Sequence, residues 1–361
     1  MKRIYNFSAG PAVLPESVLA EAAAAVREIG DSGMSILEVS HRGKVYDPIH
    51  EEASAAILRV LGLDETEYQP LFLGGGASLQ FAMVPMNFLA DGQTADYVDT
   101  GTWAIKAIDD AKLYGQVNIA ASSSNKRYSY VPRNLKLTPN ARYLHITTNN
   151  TIEGTEWPAP PKAVSVPLVA DMSSDIFARD LNYSAYDLIY AGAQKNAGPA
   201  GVTLVVIRKS FLAQANSGLP AMLSYATHAK GKSLYNTPPV FGVYVVGLVL
   251  KWIEEQGGIA AIEARNREKA DIIYAALDEF PHMYEPAVTQ KSDRSLMNIT
   301  FRMRNPDLEP LFLDGARERR MEGLKGHRSV GGIRASVYNA FPLEGCYALA
   351  EYLGVFAARH A

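Results

Sequence analysis

The chain has 361 residues, 48% hydrophobic and 20% charged, and its 35 lysines and arginines against 38 aspartates and glutamates give a formal net charge of −3. The length suggests about two domains at roughly 150 residues each. A charge this near neutrality excludes a general attraction to nucleic acid or to anionic membranes. The single cysteine, Cys346, excludes a disulfide framework and a cysteine-rich metal site, and it favours a reducing, intracellular setting.

No segment of the sequence predicts a membrane span, and the N-terminal residues do not predict an export signal. The longest apolar stretch, residues 240–250, has about half of the ~20 residues that a membrane span needs, so we expect a buried helix there. The N-terminus passes directly to polar and turn residues and lacks the apolar core of a signal peptide. We therefore expect a cytoplasmic protein with neither a membrane nor a nucleic-acid partner.

The first two thirds of the chain predict two amphipathic helices and then alternating strands and helices. Ala, Leu and Val at helical spacing predict helices over 15–29, ended by Gly30, and over 48–61. Short apolar runs then predict strands at 70–73, 95–98, 142–146, 164–170, 188–191 and 201–207, with helices after Gly76 and at 103–113. This alternation is typical of an α/β fold whose mostly parallel sheet is covered by helices on both faces.

The pattern changes beyond about residue 258. A long charged helix is predicted at 259–280, strands at 296–303 and 332–337, and a closing helix at 343–358. This mixture is typical of a smaller α+β domain. We predict a large domain of residues 16–258 and a small domain formed by 1–15, an N-terminal arm, together with 259–361.

Three consecutive glycines, Gly74, Gly75 and Gly76, stand between a predicted strand and a predicted helix. Backbone N–H groups at such a helix start could hold a phosphate. The spacing is not a dinucleotide-binding fingerprint, because the sixth position counted from Gly74 is Leu79, and no Gly-Lys-Ser/Thr of a P-loop follows. Anion binding and a tight strand–helix turn both remain open at this point.

Two further residues, Lys195 and Asp171, each follow an apolar run of strand length. A lysine buried at a strand end loses its charge readily and can act as a nucleophile in Schiff-base chemistry, although a lysine in a surface turn is the alternative. An aspartate at a strand end could instead cap a helix. Together, a lysine, an acid and a phosphate cup at one sheet edge match the needs of pyridoxal 5′-phosphate (PLP).

Sequence blocks along nearly the whole chain point to one family. They are NFSAGPAVLP (6–15), SHRGK (40–44), GGGASLQFAMVPMN (74–87), DTGTWA (99–104), TTNNTIEGT (147–155), ADMSSDI (170–176), YAGAQKNAGPAGVT (190–203), YNTPP (235–239) and GLKGHRSVGGIRASVYNA (323–340). In these blocks and their order the sequence resembles the phosphoserine aminotransferase family, a class-V group of PLP enzymes with the fold-type-I α/β architecture.

The resemblance implies a cofactor site made from several of these blocks. Lys195 would form the Schiff base with PLP, and Asp171 would hold the proton of the pyridine nitrogen. The other implied cofactor contacts are Gly76 and Ala77 (backbone N–H groups to the phosphate), Gln194 (phosphate), Trp103 (ring stacking), Thr151 (phenolic oxygen), and Asn236 and Thr237 (phosphate of the neighbouring subunit in a homodimer). Without the resemblance, Trp103 would be read as a core residue.

The resemblance also implies a substrate site for two anions. Arg334 would clamp the α-carboxylate, and the phosphate or distal carboxylate would bind a cluster of His41, Arg42, His327 and Arg328, partly donated across the dimer. Forked donors suit such groups. Some family members carry an arginine where this chain has Ala77, so that side-chain contribution is absent here.

The implied reaction is reversible transfer of the amino group from L-glutamate to 3-phosphooxypyruvate, giving O-phospho-L-serine and 2-oxoglutarate in serine biosynthesis. The family also forms 4-phosphohydroxy-L-threonine in pyridoxine biosynthesis. The nearest enzymatic alternative is a related fold-type-I PLP enzyme, such as a cysteine desulfurase or a small-acid aminotransferase. The desulfurase would need a nucleophilic cysteine on a mobile loop, whereas Cys346 falls in a predicted helix. A non-catalytic PLP-binding protein would have to lose Lys195, Asp171 or Arg334, and all three are present.

Overall fold

The predicted alternation of strands and helices is present in the computed structural model, which describes residues 3–162 and 164–360. The helices are α1 (Glu16–Arg27), α2 (Asp47–Leu61), α3 (Gly76–Phe88), α4 (Thr102–Ala111), α5 (Lys209–Leu212), α6 (Tyr225–Lys230), α7 (Val240–Glu255), α8 (Gly258–Glu279), α9 (Glu309–Glu318) and α10 (Leu343–His360). The strands are β1 (Tyr5–Asn6), β2 (Tyr68–Leu73), β3 (Thr94–Asp99), β4 (Gln116–Ser122), β5 (Leu144–Thr147), β6 (Leu168–Asp171), β7 (Leu188–Gly192), β8 (Thr203–Arg208), β9 (Tyr284–Pro286), β10 (Asn298–Met303), β11 (Met321–Glu322) and β12 (Ile333–Ser336).

A seven-stranded sheet in the order β2-β8-β7-β6-β5-β3-β4 forms the centre of the fold. Only β8 runs antiparallel to its neighbours in this sheet, so the prediction of a mostly parallel sheet is confirmed. Because β2, β3, β5, β6 and β7 point the same way, their carboxyl ends meet at one edge of the sheet. Open α/β sheets bind ligands at that edge.

Both faces of the sheet are covered, as the alternation of side chains along β8 shows. Leu204 and Val206 pack in a core with residues of α1, α2 and α7, whereas Val205 and Ile207 pack on the opposite face with residues of α3 and α4. Successive strand residues point to opposite faces, so a strand buried on both sides is apolar throughout. This explains why the buried strands were predictable as continuous apolar runs.

A second core lies among the C-terminal elements. The antiparallel sheet β12-β10-β9 packs with α8, α9 and α10, and Phe7 from the N-terminal segment joins the same core. Cys346 is buried in α10, as expected. The domain boundary at residue 258 stays a prediction. Within the described residues, no helix has both the length and the apolar composition needed to cross a membrane.

Several features of the fold differ from the sequence prediction. The strand predicted from residue 164 begins only at Leu168, after Pro167, which has no N–H to give to a strand pairing. Among the elements that were not predicted are the strands β4 and β9 and the helices α6 and α9. β4 lies at the end of the sheet, paired with β3 alone, and its sequence QVNIAAS mixes polar and apolar residues without a clear period.

A buried lysine, Lys269 of α8, holds the chain just beyond β12. Its Nζ donates to the backbone carbonyls of Val337 (2.9 Å), Tyr338 (2.6 Å) and Asn339 (3.4 Å). Burial lowers the pKa of Lys269 to about 7. The backbone N–H of Asn339 in turn donates to Oδ1 of Asn196 (3.0 Å), the residue that follows Lys195. The C-terminal elements are thereby connected to the lysine expected to carry the chemistry.

Candidate active site

The carboxyl edge of the central sheet forms one wall of a cavity of about 310 Å³. Among its lining residues are nine of the predicted site residues: Gly76, Ala77, Trp103, Thr151, Asp171, Gln194, Lys195, His327 and Arg334. They come from the ends of β6 and β7, the starts of α3 and α4, the segment after β5, and the β12 region. The structure therefore brings together seven of the nine predicted cofactor residues and two of the five predicted substrate residues.

Lys195 lies in the connection from β7 to β8, at the cavity wall. Its Nζ donates to Oγ1 of Thr151 at 2.7 Å. Desolvation lowers the pKa of Lys195 from 10.5 to about 8, although attraction to Asp171 opposes this effect. A lysine in this setting is a usable base or nucleophile near neutral pH.

Asp171 is the last residue of β6 and is buried. Its Oδ1 accepts a hydrogen bond from the backbone N–H of Ser173 at 2.9 Å. Burial raises the pKa of Asp171, while the bonds from Ser173 and the charge of Lys195 act in the opposite direction. A buried carboxylate of this kind favours a cationic partner, such as a protonated ring nitrogen.

The predicted phosphate cup is the start of α3. Gly75 has a φ of 84° and Gly76 a φ of 64°, both in the left-handed region that favours glycine. A Cβ on Gly75 would lie 2.6 Å from Leu79, whereas a Cβ on Gly76 would meet no atom within 4 Å. The first N–H groups of a helix have no partner within the helix, so those of Gly76 and Ala77 are available to an anion in the cavity.

Trp103 is the second residue of α4 and is partly buried beside Phe81, with 6.4 Å between the ring centroids. The ammonium of Lys106 lies 4.6 Å from the centre of its ring. The indole N–H is buried and has no hydrogen-bond partner in the described part of the chain. Trp103 thus presents an aromatic side chain at the cavity, as a stacking role requires.

Arg334 of β12 reaches the same cavity from the C-terminal elements. Its Nη1 donates to the backbone carbonyl of Thr151 at 3.1 Å, and its Nε is buried without a partner among residues 3–162 and 164–360. One side of the guanidinium is therefore anchored, and further donors remain for a carboxylate. His327 lies nearby, where burial and the charges of Arg334, Arg328 and Lys106 lower its pKa.

Five predicted site residues do not line this cavity in the single chain. Arg42, Arg328, Asn236 and Thr237 are exposed, and His41 is partly buried. The resemblance assigns several of these to the neighbouring subunit of a dimer, so their roles stay predictions.

The sequence analysis did not assign Gly10, Glu153 or Arg179, each of which lies in or beside one of the family blocks. Gly10 has a φ of 135° and passes so close to Lys195 that a Cβ would lie 3.3 Å from Cγ of the lysine. Arg179 forms buried ion pairs with Glu156 and Asp175. The blocks NFSAGPAVLP, TTNNTIEGT and ADMSSDI contain or adjoin these residues and were the available signal.

Comparisons with known proteins agree with this geometry. The class-V aminotransferase family model matches residues 4–349. A phosphoserine aminotransferase of Desulfosudis oleivorans is 52% identical over 357 residues, covering 98% of each chain. The solved phosphoserine aminotransferase from Bacillus circulans subsp. alkalophilus superposes with a TM-score of 0.97 at 50% identity, covering 100% of both chains. A PLP-bound phosphoserine aminotransferase from Trichomonas vaginalis gives a TM-score of 0.92 at 38% identity, covering 98% of this chain and 100% of its own. The chain belongs to the class-V aminotransferases and, within them, to the phosphoserine aminotransferase family.

Proposed function

We propose that this PLP-dependent aminotransferase moves the amino group of L-glutamate to 3-phosphooxypyruvate, giving O-phospho-L-serine and 2-oxoglutarate. The observation that carries the proposal is the meeting of Lys195, Asp171 and Arg334 at one cavity. They supply an amine base, a buried acid and a forked cation for a carboxylate, which are the groups that amino-acid transamination needs.

The residues present fit PLP. The N–H groups at the start of α3 suit its phosphate, Asp171 suits its ring nitrogen, and Trp103 suits its ring face. When bound, the cofactor supplies an aldehyde that condenses with amines and a ring that accepts the electron pair left at the substrate Cα. The cavity of about 310 Å³ extends from the α3 start to Arg334, so it has room for substrate beside the ring.

Lys195 is the base that takes the proton from the substrate Cα. Burial lowers the pKa of Lys195 to about 8, so much more of its amine is unprotonated near neutral pH than for an ordinary lysine. Thr151 Oγ1 accepts from Nζ at 2.7 Å and holds the amine at the cavity wall. Lys195 can therefore remove and return a proton without leaving its site.

Arg334 binds the α-carboxylate that the donor and the acceptor share. Its bond to Thr151 fixes the guanidinium, and the buried Nε faces no competing protein acceptor in the described residues. The distal anion is a carboxylate in glutamate and a phosphate in the acceptor, so the site needs a cationic region that can bind either group. His327 lines the cavity on the side of Arg334; because its pKa is lowered, it contributes an uncharged imidazole to that region beside the arginines.

We also propose a homodimer in which His41, Arg42 and Arg328 complete the distal-anion region, and Asn236 and Thr237 reach the cofactor phosphate of the neighbouring site. Four of these five side chains are exposed in the single chain. Solvated loops of this kind can contribute to a site when a two-fold axis brings them to the partner's cavity.

Two finer assignments complete the proposal. The phosphorylated 2-oxo acid that leads to 4-phosphohydroxy-L-threonine carries the same carboxylate and phosphate, so we expect the same residues to accept it. The compartment is the cytoplasm, which suits the free, buried Cys346.

The test is a comparison of acceptors with the purified holoenzyme. Glutamate should convert the bound cofactor's absorption to that of its amine form, and 3-phosphooxypyruvate should restore it with release of phosphoserine. Hydroxypyruvate is the matched acceptor without a phosphate and should have a kcat/KM lower by at least about a hundredfold, the loss expected for several charge-assisted bonds. Equal kcat/KM values for the two acceptors would contradict the proposal.

The dimer is tested by mixing two weakened variants, Lys195→Ala and Arg42→Ala. If Arg42 serves the neighbouring site, a mixed dimer has one site with both residues intact. Random exchange makes about half of the dimers mixed, so about a quarter of the wild-type activity should return. No recovery after verified subunit exchange would place Arg42 in its own chain's site.

A further inference from the structure

The segment that follows β5 carries a buried acid, Glu153, that the proposed mechanism does not use. Its side chain is 7% exposed. Its Oε1 accepts hydrogen bonds from both the backbone N–H and the Oγ1 of Thr102, each at 2.8 Å. Thr102 is the first residue of α4, and Trp103 is the second. Glu153, about fifty positions away in sequence, therefore caps the N-terminus of the helix that carries Trp103.

The start of α4 depends on this distant carboxylate. The residue before the helix is Gly101, which provides no side-chain cap. A Cβ on Gly101 would lie 2.5 Å from the carboxyl carbon of Glu153, so the glycine is what lets the acid approach. A carboxylate at a helix N-terminus satisfies free N–H groups and interacts favourably with the helix dipole. Here the cap also fixes where the helix begins.

The backbone of the same residue contacts the opposite side of the cavity. The carbonyl oxygen of Glu153 accepts from Oγ1 of Thr300 at 2.8 Å. Thr300 lies on β10 directly opposite Arg334 on β12. Arg334 donates back to the carbonyl of Thr151, two residues before Glu153. The turn at residues 151–153 is thus bonded to the carboxylate clamp as well as to α4.

We propose that Glu153 is a positioning residue for transamination, whose carboxylate sets the indole of Trp103 and whose carbonyl, through Thr300, sets Arg334. The inference rests on the proposed function, because it assigns Trp103 to the cofactor ring and Arg334 to the substrate carboxylate. Site geometry must be held to a fraction of an ångström by surrounding bonds, and loss of such bonds is felt at the reacting groups.

The proposal predicts that PLP binding and substrate binding can be weakened separately, which a merely structural role of Glu153 would not predict. Glu153→Ala removes the cap of α4 but keeps the backbone carbonyl, so it should raise the PLP dissociation constant about tenfold and reduce the visible circular dichroism of bound cofactor. Thr300→Val removes the bond to that carbonyl, so it should raise the KM for glutamate about fivefold to tenfold while leaving PLP binding unchanged. Glu153→Gln keeps Oε1 as an acceptor and should stay within about threefold of wild type in both quantities.

The matched control is Asp96→Ala. Asp96 is also a buried acid. It accepts from one backbone N–H, of Thr138 at 2.8 Å, and from one side chain, Asn118 at 2.8 Å, but it does not line the cavity. This variant should lower the melting temperature about as much as Glu153→Ala and leave PLP binding and KM unchanged. If Glu153→Ala behaves like this control, the proposal is wrong.

A milder variant keeps the test decisive if Glu153→Ala does not fold. Thr102→Val removes only the hydroxyl donor and should shift PLP affinity in the same direction by a few fold; an unchanged affinity would again overturn the proposal. PLP binding and circular dichroism need no substrate, so these results are independent of which acceptor the wild-type enzyme prefers.

Discussion

Replacing Arg334 by lysine tests the assignment of the substrate carboxylate most directly. The guanidinium uses Nη1 for the carbonyl of Thr151 and leaves Nε buried and unpartnered in the described residues, so a carboxylate can accept two parallel bonds from it. Arg334→Lys keeps the charge but replaces the fork by a point donor, which removes about one of those bonds. A charge-assisted hydrogen bond contributes about 1.5–3 kcal/mol, or roughly ten- to a hundredfold in binding.

The assay is the half-reaction of the holoenzyme with glutamate and, separately, with O-phosphoserine. Both substrates carry the same α-carboxylate, so both KM values should rise by the same factor. Arg142→Lys is the control, because Arg142 is a partly buried arginine with one bond to a backbone carbonyl, that of Phe88 at 3.2 Å, and it does not line the cavity. If the KM rises for only one substrate, Arg334 binds the distal anion and not the α-carboxylate. If neither KM rises, Arg334 does not bind the substrate.

Four further variants have defined outcomes. Lys195→Ala should bind PLP without a covalent link, seen in its absorption spectrum, and lose turnover; normal turnover would refute the assignment. Arg42→Ala and Arg328→Ala should raise the KM for phosphorylated substrate more than that for glutamate, and equal effects would indicate a structural role. Lys269→Met tests how stability depends on pH. The pKa of Lys269 is about 7 in the folded protein, compared with an ordinary value of 10.5. Between these two pH values Lys269 is protonated in the unfolded state and mostly neutral in the folded state, so the stability of the wild type rises with pH. Relative to the variant, the wild-type free energy of unfolding should gain roughly 2 kcal/mol from pH 7 to 8.5, measured by urea denaturation; a constant difference would contradict the pKa.

Most of the fold was predictable because the buried strands of this sheet are apolar on both faces. Strands such as β7 and β8 are continuous apolar runs, and the polar residues that follow β6 and β7 are where a parallel sheet presents its ligand edge. The strand β4 escaped prediction because it pairs on one side only, so its sequence is not constrained to be apolar. Propensity alone does not reveal an edge strand of this composition.

Some residues of the site are likewise predictable from their local sequence, whereas others depend on residues that are distant in sequence. Lys195 and Asp171 could be proposed from their own positions at strand ends. Glu153 could not, because its function depends on Thr102, which is 51 residues away in sequence, and on the glycine that makes room for it. Arg179 likewise pairs with Glu156 only when the segments after β5 and β6 pack together, whereas its other acid, Asp175, lies four residues before it in the same segment. Such contacts follow from tertiary structure and have no periodic signature.

The two cations of the site are coupled through Thr151. Its hydroxyl accepts from Lys195 and its carbonyl accepts from Arg334, so one residue holds both positive groups in the same cavity. The charge of Arg334 is one of the causes that lower the pKa of Lys195. A substrate carboxylate bound to Arg334 offsets that charge, and the repulsion felt by a protonated Lys195 then falls. If the proposed roles hold, we therefore expect carboxylate binding at Arg334 to raise the pKa of Lys195, so that its amine binds the Cα proton more strongly.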